Sequence, residues 1–135
     1  MENKRFHLEM IQGVINRMAS NSFMLKGWAV TLVAGIFALA TKDADKLYFI
    51  ITYVPILVFW GLDTFYLRQE RLYRKLYDKV RKQTEEEIDF SMNTNLDEFK
   101  GNQANYWHVL FSVTELWFYV PLAVLTLIVI LLGLI

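Results

Sequence analysis

The 135-residue sequence has no cysteine, which excludes disulfides, thiolate metal sites and thiol nucleophiles. Its two histidines, His7 and His108, fall in separate segments, and neither has metal-ligand spacing to a second ligand. No serine sits in a nucleophile elbow. Most of the clustered carboxylates lie in a polar stretch unsuited to acid–base work. A glycine-rich phosphate loop, a sustained low-complexity tract and an internal repeat are all missing. The first apolar run starts late and lacks a small-residue cleavage site, so no signal peptide is expected. These absences leave no case for catalysis and call for no cofactor or metal.

What is abundant is apolar surface: 55% of residues are hydrophobic and 16% aromatic, while 14 Lys and Arg balance 14 Asp and Glu. The charges are clustered, leaving three nearly charge-free stretches at 27–40, 47–62 and 116–135. Only the last has the roughly 20 residues that cross a bilayer core unaided. The first two span about 21 and 24 Å as helices and must borrow amphipathic flanks. The expectation is an all-α integral membrane protein forming one membrane domain over residues 1–135. It comprises an N-terminal amphipathic helix (4–26), a first span (27–41), a second span (47–62), a long basic cytoplasmic helical segment (63–103), and an interfacial helix with a third span (107–135). That makes two or three transmembrane helices. Lys and Arg crowd the N-terminal flank and the segment after residue 67, whereas in the loop 41–46 Lys42 and Lys46 are cancelled by Asp43 and Asp45. The N-terminus and the basic helix are therefore expected in the cytoplasm, and the short loop outside.

The stretch 47–82 organises the rest. It begins apolar and becomes basic at Asp63 without a Gly or Pro between Gly61 and Lys82, which predicts one long helix. At 100° per residue, Arg68, Arg71, Lys75, Lys79 and Lys82 fall within an arc of roughly 80°. Leu62, Tyr66, Leu72, Tyr73, Leu76, Tyr77 and Val80 take the other side. The cationic stripe has two readings. It is a positive-inside anchor on anionic headgroups, or a docking surface for a polyanion, with phosphates on the five cations and base stacking on Tyr66, Tyr73 and Tyr77.

In the first helix Leu8, Ile11, Val14, Ile15, Met18 and Leu25 share a side. One reading lays this helix in the headgroups, with Lys26 and Trp28 as anchors. The other points Arg17, Asn21 and Lys26 toward a water-filled axis of an oligomer. Gly27, Thr31 and Gly35 recur every fourth residue, a spacing that lets helices approach closely; that face is expected to pack on the second span or on a neighbouring copy. Pro55 falls mid-way in the second span, either bending it or simply tolerated. Thr84 and Glu87 have capping-box spacing, predicting a new helix. The pair Thr94 and Asp97 repeats the signal, and Lys100-Gly101 reads as its stop. Tyr106, Trp107 and Trp117 form an aromatic belt. His108 and Glu115 are seven residues apart, too far for a direct bond, and read as interfacial residues exposed to water.

Two stretches carry a resemblance: Ile15-Asn-Arg-Met-Ala-Ser-Asn-Ser-Phe leading to Lys26-Gly-Trp28, and Leu62-Asp-Thr-Phe-Tyr-Leu-Arg-Gln-Glu-Arg-Leu-Tyr-Arg-Lys-Leu-Tyr77. With Asp89-Phe-Ser-Met92 they resemble the small membrane effectors of bacterial anti-phage systems, the SLATT-like group and, more narrowly, the effectors of Hailong systems. The resemblance implies a homo-oligomeric channel, such as a tetramer, that depolarises the host membrane during infection. It also implies gating by a nucleotide messenger or single-stranded DNA oligomer made by a partner nucleotidyltransferase, which holds the channel shut. The basic stripe is then the docking site, and Arg17, Asn21 and Lys26 are pore-side candidates. Two spans are typical of the group, and the third apolar segment departs from that pattern. The alternative is a non-conducting membrane adaptor that binds anionic lipid or a protein partner through the same helix.

Overall fold

Residues 2–40 contain no proline and a continuous apolar face, and they form one helix, α1 (Glu2–Ala40). The computed structural model describes residues 2–40, 50–94, 99 and 105–132. α2 (Tyr53–Arg81) carries the apolar-to-basic transition without a break and ends at Lys82. α3 (Tyr106–Leu110) is one turn and a half, capped by the Asn105 side chain, which accepts from the Trp107 N–H at 2.9 Å. α4 (Val113–Leu132) follows after a break at residues 111–112. The described residues are all helix, turn and extended connection, with no strand among them. The loop 41–46, the start of the second apolar run at 47–49, Asp97, Lys100-Gly101 and the chain end at 133–135 lie outside the described residues.

α1 and α2 pair as an antiparallel hairpin, because each presents apolar side chains every third or fourth residue to the other. Two apolar clusters hold it. The first joins Ile11 and Ile15 to Leu72, Leu76, Val80 and Phe99, with Leu8, Tyr73, Tyr77, Ile88 and Met92 around them. The second joins Ala29 and Val33 to Ile56 and Tyr119, flanked by Phe37, Tyr53, Phe59, Trp60, Phe118, Leu122 and Ala123. The apolar side of α1 is thus spent on α2. This corrects the expectation that residues 4–26 lie in headgroups: Ile11 and Ile15 are fully buried in protein.

Pro55 is the third residue of α2; residues 50 and 51 before it are helical and Thr52 keeps right-handed helical angles, so the missing N–H leaves the Ile51 carbonyl without a helical donor and interrupts the helix there. One further expectation changes. The Thr84–Glu87 signal gives a single 3-10 turn, Glu85–Glu87, and no α-helix. The Thr84 hydroxyl donates to Glu87 Oε1 at 2.9 Å instead of accepting from the backbone. Glu85 is used elsewhere: its two carboxylate oxygens accept from the N–H groups of Asn3 (2.8 Å) and Lys4 (3.1 Å), closing the open end of α1. The chain then runs extended, with Phe90 in the left-handed region at φ 57°, a strained position for a side chain of that size. That turn sets Phe90 against the rings of Phe6 and His7.

α1 and α4 are long and apolar enough to cross a membrane. The outward side chains of α4 are apolar: Val120, Val124, Leu125, Leu127, Ile128, Leu131 and Leu132 are all exposed. Pro121 lies within α4 and leaves the Trp117 carbonyl without its helical donor.

A buried charge cluster at the junction of three helices

Between the two apolar clusters lies a polar layer to which α1, α2 and α4 each contribute. Ser22 and Lys26 are one turn apart on α1, and Glu115 and Tyr119 one turn apart on α4, so each pair shares a face. Asp63 projects from α2 at the point where its sequence turns from apolar to charged. Asp63, Glu115 and Tyr119 have no exposed surface.

Asp63 is the acceptor at the centre. The Lys26 ammonium donates to Oδ2 and pairs with it as an ion pair. The Ser22 hydroxyl donates to Oδ1, and the Tyr119 hydroxyl to Oδ2 at 2.9 Å. Lys26 also donates to Ser22 Oγ at 3.0 Å. Its ammonium lies 5.8 Å from the centroid of the Phe118 ring and 6.0 Å from that of Tyr119, within the range of a cation–π contact. Burying a charge costs several kcal/mol unless it is paired and hydrogen-bonded; Asp63 has a cation and three donors.

Glu115 is in a different position. Its Oε1 is 3.6 Å from the Lys26 ammonium, a coulombic contact beyond hydrogen-bond range. Neither carboxylate oxygen has a hydrogen-bond partner. The layer thus holds one amino group and two carboxyl groups.

Aromatic packing fixes the layer. Tyr119 stacks on Trp60 with centroids 5.9 Å apart and planes within 6°. Trp60 donates its indole N–H to the Leu110 carbonyl at 3.0 Å, and Tyr106 donates to the Gly61 carbonyl at 3.0 Å. α3 is thereby tied to α2 just beside Asp63. A methyl on Gly61 would stand 3.4 Å from the Tyr106 hydroxyl, in van der Waals contact with it.

The residues singled out by sequence fall into three groups. Of the polar-axis set, Lys26 points into its own three-helix core and is engaged by Asp63, while Arg17 is exposed and Asn21 half-buried. Lys26 therefore departs from its expected place, because two carboxylates inside the bundle outbid any axis outside it. In the helix-packing set, Gly27, Thr31 and Gly35 are exposed and do not face α2. The Thr31 hydroxyl donates to the Gly27 carbonyl at 2.8 Å.

The third group is the basic stripe. Arg68, Arg71, Lys75 and Lys79 are half-buried and Lys82 is exposed. Lys75 donates to the Phe99 carbonyl at 2.8 Å, and Lys79 sits 5.9 Å over the Phe99 ring. Part of the stripe is thus occupied by the chain's own connection. Of the tyrosines proposed for base stacking, Tyr73 and Tyr77 pack on the first apolar cluster and Tyr66 lies edge-on to Phe65 at 5.5 Å. The apolar side of an amphipathic helix goes to its partner helix first.

Sequence reasoning missed Asp63 and placed Glu115 in water, whereas Glu115 is fully buried. His108 is exposed, as expected of it. The signal available was the sign pattern: a lone Lys at the edge of one apolar run and a lone acid at the edge of each of two others. Ionisable groups at membrane depth pair with one another. Compared with protein-family models, curated proteins and solved structures, the chain matches none.

Proposed function

We propose that the chain is a subunit of a homo-oligomeric ion-conducting membrane effector, whose opening depolarises the membrane that holds it. The observation that carries this reading is the outward face of α1. Gly13, Arg17, Ser20, Gly27, Thr31, Ala34, Gly35 and Ala38 are exposed on it, with Met24 among them and Phe23, Trp28, Leu32 and Leu39 exposed to either side. Lipid-facing helices carry Leu, Ile, Val and Phe, as the outer face of α4 does; a helix that turns small and polar residues outward is suited to close contact with another copy or to a wet axis. Among the described residues nothing lies within 4 Å of a methyl placed on Gly27 or Gly35, so their smallness serves no contact with those residues.

In this reading α1, the apolar start of α2 and α4 all cross the inner membrane of a bacterium. The N-terminus and the basic half of α2 are cytoplasmic, in accord with the positive-inside bias. Arg17 lies at the cytoplasmic mouth. The basic stripe from Arg68 to Lys82 is the docking surface for an anionic regulator, a nucleotide or single-stranded oligonucleotide, that holds the assembly closed. The resemblance to anti-phage effectors supports that role and a setting in phage defence.

Recording from the purified chain in planar bilayers tests the proposal. Discrete single-channel steps are expected. Silence across pH and salt, from protein shown to be inserted, would overturn conduction and leave a non-conducting adaptor.

A further inference from the structure

The Glu115 carboxyl group is sealed inside three helices with no donor to either oxygen. Among the described residues the titratable groups that face it are Lys26 from α1, Asp63 from α2 and Tyr119 from α4. The Tyr119 hydroxyl is committed to Asp63, and the Lys26 ammonium gives two of its three N–H groups to Asp63 and Ser22 and stands 3.6 Å from Glu115 Oε1. An ionised Glu115 would therefore have that one long contact at the edge of a membrane, beside a second carboxylate. That arrangement is among the most costly a folded chain can hold.

The neutral acid has the opposite balance. It carries one O–H donor, and the Asp63 carboxylate lies against the same Lys26 ammonium as Glu115. Asp63 accepts three hydrogen bonds, and a carboxylate has about four acceptor positions, so one remains for Glu115. With a single proton added, Lys26, Asp63 and Glu115 sum to zero charge. No metal ion or small molecule reaches the group, since its oxygens are closed even to water.

We propose that Glu115 is a proton-binding site, held as a carboxylic acid that donates to Asp63 and so latches α4 to the α1–α2 hairpin. Loss of the proton leaves two carboxylates facing one ammonium, and their repulsion separates α4 from α2. The proposal rests on the membrane placement argued above and not on conduction, so a protein that carries no current still tests it.

The test is infrared spectroscopy of the full chain in lipid nanodiscs at pH 7. A carboxylic-acid carbonyl band is expected, shifted in D2O and absent from Glu115→Gln. Asp63→Asn should abolish the band although Glu115 remains, because Glu115 then becomes the sole counter-ion of Lys26 and ionises. A merely structural Glu115 would not respond to that substitution. Absence of the band in the wild-type chain, or its survival in Glu115→Gln, overturns the proposal. The wild-type chain alone also decides it. The folded state holds a proton that the unfolded chain has released at neutral pH, so the thermal midpoint should fall as pH rises through the loss of the band. A midpoint indifferent to that loss overturns the latch.

Discussion

Lys26 of α1 and Asp63 of α2 form an ion pair across 37 positions of sequence, and the carboxylate end of that pair is sealed from solvent. The attraction is large only because water is excluded, and so is the penalty for breaking it from one side.

Lys26→Ala should accordingly destabilise the fold by about 3–5 kcal/mol, the cost of stranding a buried carboxylate. The double variant Lys26→Met with Asp63→Asn removes both charges and should lose far less than the single one. Thermal unfolding in detergent reads both. Losses that simply add would mean that the two groups act independently.

Gly35→Leu probes the outward face of α1. Within the subunit the new side chain meets open space, so the fold of one chain should be unharmed. If copies pack there, the assembly should shrink on size-exclusion chromatography, while Gly35→Ala, which favours helix by about 1 kcal/mol, should not disperse it. An unchanged size for Gly35→Leu would assign that face to lipid.

For the basic stripe, a short single-stranded oligonucleotide should bind with an affinity that falls steeply with salt. Removing two phosphate contacts with Arg68→Ala and Arg71→Ala should shallow the log–log slope by about 1.4, at about 0.7 per phosphate. Arg81 lies off the stripe and is 3.6 Å from Asp78, so Arg81→Ala should change little. In a channel held closed by that ligand, the double variant should leak ions without infection, because release and opening are linked. No binding at low salt would leave the stripe as a membrane anchor.

Orientation is read by labelling, and the native chain has no thiol to confuse it. Asp43→Cys should react with an impermeant reagent from outside the cell, and Glu86→Cys should not. The reverse pattern would invert the topology argued from charge.

Glu85 makes the closing of α1 sensitive to acid. Hydrogen bonding from the chain's amino terminus outweighs desolvation and, with the backbone N–H groups of Lys4 and Asn3, holds its carboxyl below the ordinary value. A carboxyl lowered by folding contributes stability above its unfolded value and loses it as pH falls through the lowered one. Hydrogen exchange at Asn3 and Lys4 should therefore accelerate, relative to the acid dependence of exchange itself, on acidification through that range. Glu85→Gln should show no such step.

Periodicity and composition made the long elements legible. The run of α2 to Lys82 follows from apolar spacing and from the lack of Pro and Gly after Gly61, and the helical character of residues 4–26 from apolar spacing that Gly13 does not break. The pairing of those elements was not legible. The apolar side of α1 that packs on Leu72 and Leu76 is chemically the same as one that would lie in headgroups, and only the partner distinguishes them. Glu115 misled for a related reason: exposure was inferred from its place near the end of a span, whereas Lys26 and Asp63, remote in sequence, decide it. The Thr84–Glu87 signal failed because Glu85 found a stronger use at the end of α1.

The length of α1 has a mechanical consequence. The helix is unbroken from Glu2 to Ala40, and Lys26 ties it to both α2 and α4 at one level. It extends about 36 Å to one side of that tie and about 21 Å to the other, at ~1.5 Å per residue. The clusters at Ile11 and Ile15 and at Ala29 and Val33 hold it to its neighbours on either side of that tie, so it is clamped along its length and has no free pivot. A push on the end closed by Glu85 is then passed along the paired helices to the stretch that carries Gly27, Thr31 and Gly35.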